Sequence, residues 1–362
     1  MSRFKGLRNA LFAAAGALLM VAAAAPVSAA TPPQFQVSIG DNCVRGMARP
    51  NASMHLVWKD ADGAVKANQV ITVTDIGEWV FCARATTLVA SGDRLRATIG
   101  STTRTFTVPQ LSIRINRETN IKGTGPAGAS LKVYCGSHAW EFEPCTNWST
   151  VIVNGKGKWS LGWRFAGGES TIVRWRDAMG DRVDASATAP FVIVTLDKPR
   201  FLGVYHRNST ATVQLFEPSF DGLLAVGRAA GAATDGSFVG KLRDPEGRLY
   251  ATTPGDHMLA NIGPNADWFV PDIDATASAA TQIVSGECVE RGTALSGGFK
   301  VQLYRNGRFV DSVAHLWDPG PWEFNWNEDT SFSSEIRPGD KLTVMCEIGD
   351  RGDWAQRVIF AQ

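Results

Sequence analysis

The sequence predicts an all-β protein made of four tandem sandwich repeats, arranged as an extended array behind an export signal. Three observations support this prediction. Aromatic and polar residues alternate in short runs, a Gly-x-aromatic motif recurs about every 80 residues, and the chain opens with an apolar stretch. Alternation with period two is typical of a half-buried β-strand, because successive side chains point to opposite faces of a sheet.

The recurring strand is clearest near the C-terminus, where Trp322, Phe324 and Trp326 alternate with polar residues after Gly320. A Gly-Asp turn, Gly339-Asp340, then opens a second strand. The motif glycines mark the successive repeats: Gly77, Gly157, Gly236 and Gly320. The pattern predicts repeat 1 over residues 31–109, repeat 2 over 110–190, repeat 3 over 191–271, which is the most divergent, and repeat 4 over 272–362.

Residues 1–30 have the three parts of a secretory signal peptide. Arg3, Lys5 and Arg8 precede an apolar run from Ala10 to Ala25, and the small residues 27–29 suit a signal peptidase. The run is shorter than the roughly 20 residues that cross a bilayer. We therefore expect cleavage and a secreted protein, extracellular or periplasmic.

The charge balance argues against two classes of partner. The chain has 36 basic and 35 acidic residues, and three of the basic ones lie in the predicted signal peptide. Without a basic block, neither nucleic acid nor an anionic membrane surface is an expected partner. No second long apolar run follows, so no membrane insertion is expected after cleavage. The expected partner is a protein or glycan ligand at a surface.

Six cysteines in an exported chain predict disulfides, and six allow 15 connectivities. Repeats 1, 2 and 4 each contain two cysteines, which favours pairing within a repeat. Each closure would stabilise its repeat by roughly 3–4 kcal/mol, because it restricts the unfolded chain. The candidate pairs are Cys43 with Cys82, Cys135 with Cys145, and Cys288 with Cys346.

About seven short strands per repeat, with frequent turn signals, are typical of an Ig-like sandwich. Three repeats also share a Gly-Asp turn, in Ser91-Gly92-Asp93, Pro254-Gly255-Asp256 and Pro338-Gly339-Asp340. With these motifs the chain resembles the bacterial Ig-like and fibronectin-III-like tandem repeats of exported surface proteins. The resemblance implies four Ig-like β-sandwich domains that serve cell adhesion, spacing or the presentation of other modules. Repeat 2 departs from the pattern, with Gly168-Glu169 in place of Gly-Asp.

No motif predicts chemistry. Five histidines are scattered along the chain without metal-ligand spacing, and no nucleophile elbow or phosphate-binding loop is present. We therefore expect no catalytic residue, no metal ligand and no cofactor, and the chain is not expected to be an enzyme. A hydrolase whose site is assembled from separate strands is the alternative.

Eight of the twelve tryptophans fall into two groups. The larger group lies on alternating strands and is predicted to fill the cores: Trp79, Trp159, Trp163, Trp322 and Trp326. The other aromatics lie in or beside predicted loops, chiefly the Cys135–Trp148 insertion, and are candidate ligand contacts: Trp140, Phe142, Trp148 and Trp317. They raise a second hypothesis, a carbohydrate-binding accessory protein. The competing interpretation is that these rings pack locally.

Residues 351–353 read Arg-Gly-Asp, and they fall in the last predicted hairpin turn. This placement resembles the integrin-binding loop of fibronectin type III repeats. A turn needs Gly and Asp for its own geometry, so a plain turn is the favoured interpretation.

Overall fold

The computed structural model describes residues 32–116, 120–135, 148–163, 165, 167–232, 235–262, 266–295, 297–317, 320–329, 334–348 and 353–362. The predicted signal peptide, residues 1–30, lies outside the described residues. Within them, no helix has the length and apolar character needed to cross a membrane. The chain divides into two compact units. Compact unit 1 runs to residue 109 and includes residues 176–183, and compact unit 2 comprises residues 110–175 and 184–362.

The strands of compact unit 1 pair antiparallel in the orders β1-β2-β5 and β4-β3-β6-β7. The strands are β1 (Gln34–Ser38), β2 (Cys43–Met47), β3 (Ser53–Lys59), β4 (Val65–Thr72), β5 (Glu78–Cys82), β6 (Arg94–Ile99) and β7 (Thr102–Thr107).

The first part of compact unit 2 repeats this division into three and four strands. Its strands are β8 (Ser112–Asn116), β9 (Asn120–Thr124), β10 (Ser130–Cys135), β11 (Trp148–Ile152), β12 (Lys158–Leu161), β13 (Ser170–Arg176) and β14 (Arg182–Thr188). These strands pair in the orders β12-β9-β8 and β11-β10-β13-β14.

The strands of repeats 3 and 4 complete compact unit 2. They are β15 (Phe191–Thr195), β16 (Arg200–Val204), β17 (Thr210–Phe216), β18 (Leu223–Ala230), β19 (Ser237–Lys241), β20 (His257–Ala260), β21 (Ala266–Phe269), β22 (Asp272–Ser278), β23 (Ile283–Glu290), β24 (Thr293–Ala294), β25 (Gly297–Arg305), β26 (Arg308–Trp317), β27 (Trp322–Asn325), β28 (Lys341–Ile348) and β29 (Asp353–Phe360), with one short helix, α1 (Trp326–Asp329).

These strands form three sheets. One has the order β18-β17-β20-β21, and another has β22-β23-β24 with β27 also paired to β23. The third is a seven-stranded sheet of order β19-β16-β15-β29-β28-β25-β26. The predicted all-β, Ig-like sandwich fold is therefore confirmed. The number and limits of the domains stay a prediction.

The seven-stranded sheet joins strands of two predicted repeats. β15 of repeat 3 runs parallel to β29 of repeat 4, and Ile193, Val194 and Thr195 lie opposite Trp354, Ala355 and Gln356. One hydrophobic core accompanies the sheet and extends from Val192 to Ala361. Strands of repeats 3 and 4 therefore share both a sheet and a core.

A glycine on the neighbouring strand makes room for the aromatic residue of each Gly-x-aromatic motif. A Cβ built on Gly46 would lie 2.8 Å from Cζ2 of Trp79, and one on Gly286 would lie 2.6 Å from Cζ2 of Trp322. The pairs are Gly46 with Trp79, Gly123 with Trp159, Gly203 with Phe238, and Gly286 with Trp322. All four aromatic residues are buried. The recurring aromatic strand is therefore a core element.

Two predicted core tryptophans differ in detail from the expectation. Trp326 is fully buried, but it begins α1 instead of continuing the strand, since β27 ends at Asn325. Trp163 lies beyond the end of β12 and is half-buried.

Two of the three predicted disulfides are present. Cys43 and Cys82 lie directly opposite each other on β2 and β5, within one sheet. Cys288 and Cys346 lie on β23 and β28, so their bridge joins two sheets through the core. Cys135 ends β10, and Cys145 lies outside the described residues, so that pairing stays a prediction.

Candidate functional site

Trp148 is the predicted ligand contact whose side chain and surroundings the structure describes. It opens β11 opposite Tyr134 of β10, and the two ring centroids are 4.8 Å apart. The Arg174 guanidinium lies 4.7 Å from the Trp148 ring centroid, and it pairs with the Asp184 carboxylate at 2.9 Å. The Trp148 side chain remains 40% exposed. The ring is thus held between a phenol and a cation while part of it faces solvent.

The other predicted contacts are less fully placed. Trp140 and Phe142 lie in residues 136–147, outside the described residues. Trp317 is the last residue of β26, opposite Gly297 of β25, so its backbone belongs to a strand. The Trp317 side chain lies outside the described part of the chain, and the predicted patch stays a prediction.

The aspartates of the Gly-Asp turns are buried and serve the turns themselves. Each accepts a hydrogen bond of 2.9 Å from the backbone N–H three residues earlier, in the pairs Asp93 with Ala90, Asp256 with Thr253, and Asp340 with Arg337. Each carboxylate also accepts a hydrogen bond from a side chain of a neighbouring strand or segment. Trp58 Nε1–H donates to Asp93, Tyr250 Oη–H to Asp256, and the Arg305 guanidinium to Asp340. These carboxylates are structural.

The Arg-Gly-Asp segment ends in a buried aspartate. Residues 351 and 352 lie outside the described residues, but Asp353 opens β29 and is fully buried. Its carboxylate accepts hydrogen bonds from the backbone N–H of Val192 at 3.1 Å and from Nε1–H of Trp268 at 3.3 Å. A carboxylate used in this way is not exposed to a partner, which supports the plain-turn interpretation.

A groove of about 530 Å³ lies on the seven-stranded sheet of compact unit 2, and we call it the basic groove. Its apolar floor is formed by Ile193, Met345 and Trp354, which make a small cluster with Phe191 and Leu202, separate from the main core. The other lining residues are polar or basic, apart from Gly168: Arg200, Lys300, Gln302, Tyr304, Lys341, Thr343 and Gln356.

The strand register places two of the cations at opposite ends of one row. Lys300 on β25 lies opposite Met345, which lies opposite Gln356 of β29. Gln356 lies opposite Thr195 on β15, and Thr195 lies opposite Arg200 on β16. Four strand spacings separate Lys300 from Arg200, a distance of about 19 Å at 4.7–4.9 Å per spacing.

The groove concentrates positive charge in a partly desolvated setting. Burial lowers the pKa of the Lys300 ammonium, because desolvation disfavours the charged form. The Lys341 ammonium lies 5.0 Å from the centroid of the Tyr304 ring. Among the described residues that line the groove, none is acidic. Such a surface favours an anionic ligand that also has apolar faces.

Sequence reasoning missed this groove because its residues come from five strands of repeats 3 and 4 and from Gly168 of repeat 2. One signal was present, however. β25 and β28 carry polar or basic residues at alternate positions that face away from the main core, for example Lys300, Gln302 and Lys341. The β15–β29 pairing decides which other strands lie beside β25 and β28, and no local sequence pattern predicts that pairing.

No family model and no curated protein matches the chain. Among solved structures, the chain is similar to a tetra-tandem repeat in the extending region of a large adhesion protein, with 15% identity, 91% of this chain and 99% of that chain covered, and a TM-score of 0.19. It is also similar to the FN1-FN3 domains of chicken CNTN1, with 10% identity, coverage of 70% and 99%, and a TM-score of 0.17.

A third similar structure is trypsin-activated α-2-macroglobulin from Escherichia coli, with 11% identity and a TM-score of 0.18. The match covers 91% of this chain but 31% of that one. Identities and TM-scores this low assign no function to the present chain.

Proposed function

We propose that this chain is an exported Ig-like repeat protein that acts in cell-surface or extracellular interaction, in adhesion or as a spacer, without chemistry of its own. The observation that supports it is the use made of the buried carboxylates. Asp93, Asp256, Asp340 and Asp353 each hold a turn or a strand through hydrogen bonds, as a structural framework requires. The two described disulfides are consistent with an oxidising, extracellular location.

The proposal has two parts, export and a role without catalysis, and one expression experiment tests both. The full chain is produced in a bacterial host, and the N-terminus of the exported protein is sequenced. We expect export, with cleavage after residue 29 or 30. The purified mature protein is then tested for binding to intact cells and for turnover of a broad set of hydrolase substrates. Retention in the cytoplasm, or measurable turnover, would contradict the proposal.

A second candidate function is that of a carbohydrate-binding accessory protein using Trp140, Phe142, Trp148 and Trp317. The partly exposed Trp148 ring beside Arg174 favours it, because aromatic faces stack on sugar rings. A glycan array probed with the wild type and with Trp140→Ala and Trp148→Ala variants tests this idea. Specific binding that both variants lose would support it, and binding that neither variant changes would exclude these rings.

A further inference from the structure

The basic groove has the composition and the dimensions of a site for a charged polymer. We propose that it binds an acidic polysaccharide, whose sugar rings carry carboxylates at regular intervals. The inference rests on the proposed extracellular interaction role, and it adds a ligand class and a location. The location lies in repeats 3 and 4, away from the repeat 2 insertion.

The charge of the groove favours an anionic ligand. Arg200, Lys300 and Lys341 line it, and none of the described lining residues is acidic. One carboxylate, Glu347, follows Met345 on the same face of β28, but it lies outside the lining and accepts a hydrogen bond from the Gly298 N–H. A ligand anion would interact favourably with the Lys300 ammonium, whose pKa is lowered by burial. Carboxylates would therefore be attracted to both sides of the floor.

The spacing of the cations requires more than one anion. Arg200 and Lys300 end a row of five strands and are about 19 Å apart. A single carboxylate reaches one of them at a time. A chain of charged sugars reaches both at once, and the second contact then forms at a high effective concentration. Affinity should consequently rise with the length of the oligosaccharide.

The surface between the cations suits sugar rings. The half-buried Phe191, Leu202 and Tyr304 offer apolar area for the faces of the rings, and Gln302 and Gln356 offer amides to their hydroxyls. Binding sites of this volume usually combine an apolar lining with a few polar groups that fix orientation.

An acidic peptide is less well served by the same surface. Extended peptides usually gain affinity by adding a strand to an open sheet edge. The strands under the groove are internal to the sheet, and β15, β29 and β28 each pair with a strand on both sides. A peptide would therefore find no free backbone ladder here.

The test is isothermal titration calorimetry of the full mature chain with galacturonate oligomers from disaccharide to octasaccharide. We expect affinity to rise with length until the oligomer spans both cations, and to fall as salt screens the charges. The methyl-esterified oligomers keep the rings and lose the charge, so they should not bind. Poly-L-glutamate tests the peptide alternative.

Five variants locate the site. Arg200→Ala and Lys300→Met should each weaken binding of the longest oligomer roughly tenfold, the loss expected for one charge-assisted contact. Arg96→Ala and Lys158→Met change exposed cations of β6 and β12 and should leave binding unchanged. Thermal unfolding of each variant checks that the fold is intact, and Lys300→Arg, which keeps the charge, should retain binding.

Several results would overturn the inference: no binding by the wild type, equal binding of the esterified oligomers, tighter binding of poly-L-glutamate, or unchanged affinity in Arg200→Ala and Lys300→Met. These failures differ from failure of the proposed function. A chain that is exported and adheres to cells, but whose adhesion survives both variants, keeps its proposed role and loses this site. A chain that stays in the cytoplasm loses the role, whatever the groove binds.

Discussion

Glycines that face aromatic rings are the residue-scale feature common to the four repeats. Gly123 on β9 lies beneath Trp159, and a Cβ at this position would be 2.8 Å from Cε2 of that ring. The space is already filled, and a tightly packed interior cannot absorb an extra methyl group without moving its neighbours. Glycine is required here because a Cβ would lie 1.9 Å from the backbone oxygen of Ser112 and 2.8 Å from the Trp159 ring.

Gly123→Ala is therefore expected to lower the free energy of unfolding by about 2 kcal/mol, within the usual range for overpacking. Gly155→Ala is the matched control in the same repeat, because a Cβ at Gly155 meets nothing within 4 Å. Urea unfolding followed by tryptophan fluorescence measures both. Equal midpoints for the two variants would contradict the packing argument.

Asp181 is a buried carboxylate whose ionisation affects compact unit 1. It accepts a hydrogen bond of 2.8 Å from the Phe35 N–H and pairs with Arg104 at 2.5 Å. Burial raises the pKa of its carboxyl from 3.8 to about 6, although the Phe35 N–H and Arg104 act in the opposite direction. The folded state therefore holds the proton more tightly than the unfolded state.

The sign of the pH effect follows from this difference. The contribution of Asp181 to stability is complete below pH 3.8 and is lost as the pH rises through about 6. The Asp181→Asn variant cannot titrate, so its stability should fall less than that of the wild type over this range. Urea midpoints measured at a series of pH values test the point, with Asp62→Asn, at an exposed turn position, as control. Parallel curves for wild type and Asp181→Asn would refute it.

At the scale of elements, the two described disulfides connect strands in different ways. The Cys43–Cys82 bridge joins neighbouring strands of one sheet, and Cys82 is exposed. The Cys288–Cys346 bridge joins two sheets, and both of its cysteines are buried. Each bridge closes a long segment of chain, with sequence separations of 39 and 58 residues. Closure of such loops is worth about 4 kcal/mol in the chain-entropy model.

A mild thiol reductant under native conditions should open Cys43–Cys82 first, because thiol attack requires access to a sulfur. The Cys288–Cys346 bridge should resist until the protein unfolds. Alkylation followed by peptide mass spectrometry identifies which cysteines react, and the same experiment in urea is the control. Simultaneous reduction of both bridges in the native protein would show that burial does not protect the second.

For the whole molecule, the main finding is that repeats 3 and 4 share one sheet. β15 supplies a parallel partner to β29, and Asp353 fastens the start of β29 to Val192 in repeat 3. Residues of both repeats then pack in one core. A contact of the same kind occurs within compact unit 1, where Asp181 accepts the Phe35 N–H.

The fragment of residues 191–362 should therefore fold cooperatively on its own, whereas the fragment of residues 272–362 should be much less stable. The shorter fragment loses the β15–β29 pairing and exposes part of the shared core. Urea unfolding and limited proteolysis compare the two fragments with the full mature chain. If repeat 4 alone were as stable as the pair, the shared sheet would contribute little to folding.

The sequence by itself determined the all-β class, the core position of most motif tryptophans and two of the disulfide pairs. The reason is physical: period-two alternation and turn residues act over a few neighbouring residues, and cysteines of one repeat are held close by that repeat's own strands. The alternation of Trp322 and Phe324 can thus be read directly.

Only the tertiary structure decided which strands of different repeats meet. Arg200 and Lys300 share a groove because β15 pairs with β29, and this choice depends on packing between segments far apart in the chain. Likewise, the local sequence places Asp353 in a turn. In the fold its carboxylate is buried and accepts hydrogen bonds from Val192 and Trp268. Local sequence patterns depend on neighbouring residues and do not specify such long-range contacts. The candidate site could therefore be identified only in the folded chain.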